Sequence, residues 1–285
     1  MQESNLIFPQ EIYSAYLTTL NDIKLSKREI DIISCILNGR SAKGIAHLLS
    51  IAPKTVEAHT YNVMKKLDCP SRESLISLVE RSDKLLLLKK YYLRLLTHLA
   101  FEQTLKDTSK LGSNEDKSCI IVCWKKEETM ALLSQIKTHL ELAGVKASLE
   151  VRENGESSLH LISKKRLSYC TLYALSKEWA EGRENFSSFF KKLSSPSSQV
   201  LFLALDKETL SYISPSIDDD RYINFAGKEN YYFSVFTVLK RLFPQRNFDP
   251  LREEFKKKHQ FMTTSSEVVS PLRLSTPQKE LIVSH

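Results

Sequence analysis

"LSKREIDIISCILNGRSAKGIAHLLSIAPKTVEAHTYNVMKKL", residues 25–67, decides how the first part of the chain folds. Ser26 followed three residues later by Glu29 is a capping box, in which each residue satisfies a donor left free at a helix start. Ile30, Ile33 and Leu37 then recur at helical spacing, and Gly39 offers a C-cap. Ser41 caps a second helix whose Ile45, Ala46 and Leu49 face inward. The break "IAP" is short, and Pro53 suits the first position of a third helix, where an N–H would have no partner. Val56, Thr60, Val63 and Leu67 form the inward stripe of that helix, with Met64 beside it. Lys54, Glu57, Ala58, Tyr61 and Lys65 point the other way. Ser71 caps a fourth helix, "RESLISLVERS", after the turn Asp68-Cys69-Pro70. Two short helices joined by a tight turn, with a third helix face left exposed, make a helix-turn-helix.

Spacing alone leaves a purely structural three-helix unit open; the residue pattern separates the two. Leu25, Arg28-Glu29, Gly39, Ser41, Ile45-Ala46, Leu49, Ile51, Thr55-Val56, His59, Asn62 and Lys66-Leu67 fall where LuxR-type DNA-binding domains have them. Residues 22–82 closely resemble that family. The resemblance implies a four-helix fold, double-stranded DNA as partner and a homodimer formed through the fourth helix, residues 72–82. It further implies a sequence-specific transcriptional regulator, with RNA polymerase as a second partner. In such domains the positions of Glu57, Ala58 and Tyr61 look into the major groove. Lys54 and Thr55 lie at the helix N-terminus, where the dipole and free N–H groups favour a phosphate. Lys65 and Lys66 are expected to reach the DNA backbone further along. Glu57 has a second reading as half of an intrahelical pair with Lys54 or Tyr61, and His59 reads as a packing residue.

The chain departs from the family pattern twice. Gly44 stands where the family commonly has Glu, and Ala52 stands where it usually has a Ser or Thr N-cap. A lost cap costs about 1 kcal/mol, and an interior glycine about as much relative to alanine. Both changes weaken the motif and leave its binding face in place.

The bulk numbers agree with a globular DNA binder without requiring one. The 285 residues suffice for two modest cores, and a net charge of +7 leans towards an anionic partner. Five scattered cysteines argue for a reducing compartment and against a disulfide framework. Cys119 and Cys123 in "SCIIVCW" read as small buried hydrophobes without metal-ligand spacing. The start has no basic segment followed by an apolar core, so no secretory signal is expected. The apolar stretch at 85–101 is broken by Lys89, Lys90, Arg94 and His98, too many charges for a membrane span of about 20 residues. A cytoplasmic protein is expected, with no membrane partner.

The domain organisation expected is α+β. Residues 1–82 are an all-α DNA-binding unit, 83–112 a long connecting helix and linker, 113–250 an α/β unit, and 251–285 a disordered tail. Leu85, Leu88, Tyr92, Leu95 and Leu99 alternate spacings of three and four, as a short coiled-coil seam or a helix packed on its own chain would. In the α/β unit "SCIIVCW" reads as a strand and the following segment as a helix closed by Gly144. Alternation at 146–161 around Asn154-Gly155 reads as a hairpin, and 168–193 as helical. "QVLFLAL" and "RYINF" are further strands, and 229–243 is a final helix. The order β-α-β-β-α-β suggests a ferredoxin-like fold; a doubly wound sheet follows if the hairpin reading fails.

This unit shows no Gly-rich phosphate loop, HExxH or nucleophile elbow, so no enzyme, cofactor, catalytic residue or metal ligand is expected. Asp218, Asp219 and Asp220 read as a solvated loop. A phosphoacceptor receiver would carry acidic residues after its first strand, where Trp124-Lys125-Lys126 stand instead. The second unit is expected to sense a ligand or bind a partner, although LuxR-type domains commonly follow their sensor. An enzyme localised by the helix-turn-helix, or an adaptor using it to bind protein, are the competing readings.

Overall fold

The computed structural model describes residues 8–110, 118–124, 127–152, 170–177, 200–213, 221–226 and 231–257. A short helix, α1 (Pro9–Ile12), continues as a π-helical turn (Tyr13–Leu17) and leads into a two-stranded ribbon, β1 (Thr19–Leu20) and β2 (Ile23–Lys24). Four helices follow, α2 (Lys27–Leu37), α3 (Ala42–Leu49), α4 (Pro53–Lys66) and α5 (Arg72–Glu80). Ser26 Oγ accepts from the Glu29 N–H while the Glu29 carboxylate accepts from the Ser26 N–H, which starts α2. Gly39 ends it at φ +70° in a Schellman arrangement, with the N–H groups of Gly39 and Arg40 donating to the carbonyls of Ile36 and Cys35. Ile30, Ile33, Ile45, Leu49, Val56, Val63, Leu67, Leu75 and Val79 are buried in one core.

The next helix, α6 (Leu85–Lys110), belongs to two cores. Leu88, Tyr91, Tyr92 and Leu95 close the core of α2 to α5. Phe101 and Leu105 belong instead to the core beside the large sheet, and Thr97, Thr104 and Thr108 are buried with them on that half. At about 100° per residue the Phe101 and Leu105 stripe is turned roughly 110° around the helix from the first. That explains why its apolar pattern is wider than a coiled-coil seam. Of the seam residues, Leu88, Tyr92 and Leu95 are buried within this chain, and Leu85 and Leu99 pack against the same core. The packed-helix reading of the seam is therefore the one found. The buried threonines return their hydroxyls to the carbonyls of Leu93, Ala100 and Leu105, so they leave no orphan donors.

Beyond α6 lie β3 (Ser118–Trp124), α7 (Glu127–Leu142), β4 (Lys146–Arg152), β5 (Cys170–Leu175), β6 (Val200–Ala204), α8 (Lys207–Ile213), β7 (Tyr222–Asn224) and α9 (Tyr231–Leu242). The five strands form one sheet in the order β4-β3-β5-β6-β7, and every pairing is parallel. This is the doubly wound, flavodoxin-like order and it replaces the ferredoxin-like expectation. The physical reason is that β4 pairs with β3 in parallel, across α7, where a ferredoxin-like sheet needs antiparallel neighbours. The remainder of the expected hairpin, with Asn154-Gly155, lies outside the described residues, as do Asp218 to Asp220.

A second correction is Cys170–Leu175, expected as helix and found as the central strand. Its residues are covered on both faces, so the run lacks the period-two alternation that marks a strand. One face of the sheet sets Cys119, Ile121, Cys123, Leu172 and Leu203 against α7 and α9. The other sets Val122, Trp124, Tyr173, Leu175 and Phe202 together. Cys119 and Cys170 are buried thiols whose pKa burial pushes up to about 12, so they behave as small apolar groups. Residues 249–257 are helical, and Phe255 is buried against Phe101, Tyr232 and Phe236. Ordered structure therefore continues past residue 251, where composition places the start of the tail. Among the described residues no helix is long and apolar enough to cross a membrane.

The hold of α6 on α2 rests partly on one buried polar pair. The Tyr91 hydroxyl donates to Asp31 Oδ1 at 2.5 Å, and both residues are buried. Burial raises the pKa of Asp31, and the Tyr91 hydrogen bond and the Arg28 charge offset only part of that rise. Tyr91→Phe removes the donor and leaves the carboxylate uncompensated. We expect a loss of about 1–3 kcal/mol at neutral pH, read as a lower urea midpoint. The loss should shrink in acid as Asp31 takes up a proton. An unchanged midpoint at neutral pH would show that this pair does not hold α6.

Candidate nucleic-acid interface

The face that could meet a ligand is built on α4, and its position follows from what α4 buries. Val56, Val63 and Leu67 are inserted between α2 and α3, and Thr60 turns its hydroxyl back to the Val56 carbonyl at 2.8 Å. That fixes the rotation of the helix and leaves Lys54, Thr55, Glu57, Ala58, Tyr61 and Lys65 exposed on its outer side. Tyr61 is 61% exposed, an unusual state for a ring of that size on an ordered helix. No ion pair joins Glu57 to Lys54 among the described residues, so Glu57 is not neutralised within the helix. His59 and Met64 are half-buried beside the stripe.

The N-terminus of α4 is open. Ala52 has an extended backbone and contributes no side-chain cap, and Pro53 has no N–H to satisfy. The N–H groups of Thr55 and Val56 return to the Ala52 carbonyl, which leaves the Lys54 N–H facing outward at the positive end of the helix dipole. The preceding turn is tight because Ser50 adopts the left-handed conformation at φ +54° and the Ile51 N–H reaches the Ala46 carbonyl at 3.0 Å. On α3 the outward residues are Lys43 and His47, one helical turn apart. Their spacing against the buried Ile45, Ala46 and Leu49 marks this pair as outward-facing in the sequence as well.

Lys66 behaves differently from the other candidates. Its ammonium lies 2.7 Å and 2.9 Å from the two carboxylate oxygens of Glu29. It therefore ties the end of α4 to the start of α2, and its charge is answered inside the protein. Burial alone would raise the Glu29 pKa, but the hydrogen bonds from Lys66 and Ser26 and the Lys66 charge outweigh it and hold the carboxyl below its usual range. Gly44, the other departure from the family pattern, gives its N–H to Ser41 Oγ at 3.1 Å. A Cβ there would meet that oxygen at 3.4 Å, an ordinary contact, and the backbone is in no left-handed conformation.

Residues 24–79 match the family of bacterial regulatory proteins of the luxR type. They are similar to the uncharacterized response regulatory protein YgeK of Escherichia coli (strain K12), 45% identical over 56 residues, covering 20% of this chain and 38% of that protein. The oxygen regulatory protein NreC of Staphylococcus haemolyticus is 46% identical over 52 residues, covering 18% and 24%. The transcriptional regulatory protein FixJ of Azorhizobium caulinodans is 42% identical over 52 residues, covering 18% and 25%. The chain thus spans well under half the length of these relatives, and all three matches fall on the helical region. No solved structure gives a significant match.

Two stability outcomes follow from these contacts. Glu29→Gln should cost about 1 kcal/mol at neutral pH, from a weakened cap and a lost ion pair. A carboxyl whose folded pKa is depressed stabilises above its unfolded pKa of about 4.5 and stops doing so as pH falls through the folded value. The gap between wild type and variant should therefore close in acid, and thermal melts across pH would show it; a pH-independent gap would mean that the charge is not responsible. Gly44→Ala should stabilise by about 0.5–1 kcal/mol, raising the melting temperature, unless Ser41 has to move to admit the methyl group.

Proposed function

We propose, from the premise that residues 24–79 are a LuxR-type helix-turn-helix domain, that the chain is a sequence-specific transcriptional regulator that inserts α4 into the major groove of double-stranded DNA. The observation that carries the reading is the exposed set Glu57, Ala58 and Tyr61 on a helix whose opposite side is locked in a core. Ala58 and Tyr61 offer apolar and hydroxyl contacts to base edges, and Glu57 can accept from a cytosine amino group. Lys54 and Thr55, at the open helix start, take the phosphate role, and Lys65 takes it further along. Lys66 is assigned to holding α4 through Glu29. Lys43 and His47 on α3 extend the phosphate-facing surface.

One reading helix per chain supports binding as a homodimer to two half-sites about 10 bp apart. The α6 seam is occupied within the chain, so the dimer contact falls to α5, as the family resemblance implies. A regulator so placed would act on RNA polymerase. The α/β unit takes the role of sensor or partner-binding module. Among the described residues just beyond the carboxyl ends of its strands, Asp206 is the acidic one. It is occupied in accepting from the N–H groups of Lys177 and Thr209, which makes it a loop anchor and not a phosphoacceptor.

Selection of bound sequences from a random DNA pool tests the reading. Lys54→Ala should weaken binding to all sequences alike and lower the salt slope by about 1 for the lost phosphate contact. Tyr61→Ala and Glu57→Ala should instead alter the preferred base at one or two positions, with about 1–3 kcal/mol of discrimination lost at each. If both leave the selected sequence unchanged, α4 is not the reader.

A further inference from the structure

Three potential metal ligands that are far apart in sequence meet where α6 crosses α7. His98 and Glu102 lie one turn apart on α6, and His139 comes from the last turn of α7. Each can offer one donor atom, and the three lie within 4.8 Å of one another. The distance from His98 Nε2 to Glu102 Oε1 is 3.3 Å. Two donors bound to one tetrahedral zinc-sized ion sit about 3.3 Å apart, so this pair already has the required span. The phenol of Tyr231, from α9, lies 2.7 Å from His139 Nδ1, which orients the ring and leaves Nε2 to ligate. Metal-bound histidines are commonly held in this way through their second nitrogen. Phe8 and Phe101 close over the rings and limit water.

We propose that His98, Glu102 and His139 form a site for a divalent first-row transition ion, with zinc as the representative. Two imidazoles and a carboxylate are a ligand set such ions accept, with a fourth position open. The ion would cross-link α6, which also closes the helix-turn-helix core, to the α/β unit. The site stands on this geometry and holds whether or not the chain binds DNA.

The test uses the full chain, stripped with a chelator and titrated with zinc alone. The expected result is one equivalent bound, with a rise in melting temperature. Cobalt in place of zinc should give a spectrum without a thiolate charge-transfer band, which separates this site from the five cysteines. His98→Gln and Glu102→Gln, on partly exposed positions, should each weaken binding by about tenfold or more, with circular dichroism unchanged. A folded His139→Gln protein should do the same; if it does not fold, the other two variants decide. Absence of stoichiometric binding, a thiolate band, or affinity unaltered in both folded α6 variants would overturn the proposal.

Discussion

A single helix that must satisfy two cores constrains most of this structure. With 26 residues, α6 is about 39 Å long, and its two buried stripes lie on different sides of it. Leu88, Tyr91, Tyr92 and Leu95 seal the helical core, while Phe101 and Leu105 enter the core beside the sheet. Because a helix transmits rotation along its length, moving one stripe moves the other. The short α1 follows the same logic, with Phe8 in the sheet-side core and Ile12 in the helical one. The two units therefore share buried surface, which a flexible tether would not give them.

The α4 surface depends on that arrangement at one remove. Its inward residues are held by α2, and α2 is in turn held by α6 through Asp31 and Tyr91. Arg40 adds a second tie, its Nε donating to the Tyr92 hydroxyl at 2.5 Å with the guanidinium near the face of that ring. The outer residues of α4 take no part in this chain of support. They can be varied for a binding partner without loosening the core, as a reading surface requires. Lys66 lies at the boundary: it belongs to the outer face by exposure and to the framework by its bond to Glu29.

The sheet has the strand order of doubly wound folds, and the residues described at its carboxyl edge are engaged within the unit. Trp124 ends β3, Arg152 ends β4 beside Glu150, and Asp206 anchors the loop into α8. The relatives match this chain only over its helix-turn-helix region, so they say nothing about this edge.

The sequence by itself determined what local physics controls. Capping at Ser26, Ser41 and Ser71, the left-handed Gly39, Pro53 at a helix start and the i, i+3, i+4 spacing of apolar residues all act within a few residues, so the helix-turn-helix and its outer face were legible. Strands β3, β6 and β7 were legible as short apolar runs, and the helix at 231–242 by its spacing. Tertiary structure alone decided which strands pair, because a parallel neighbour such as β4 is chosen across a whole crossover. It decided that Cys170–Leu175 is a strand, since Leu172, Ala174 and Leu175 suit a buried helix as well as a strand buried on both faces. The partner of Lys66 and the meeting of His98 with His139 were likewise out of reach. Each requires two segments distant in the chain to be brought together by cores that form only when the whole molecule is packed.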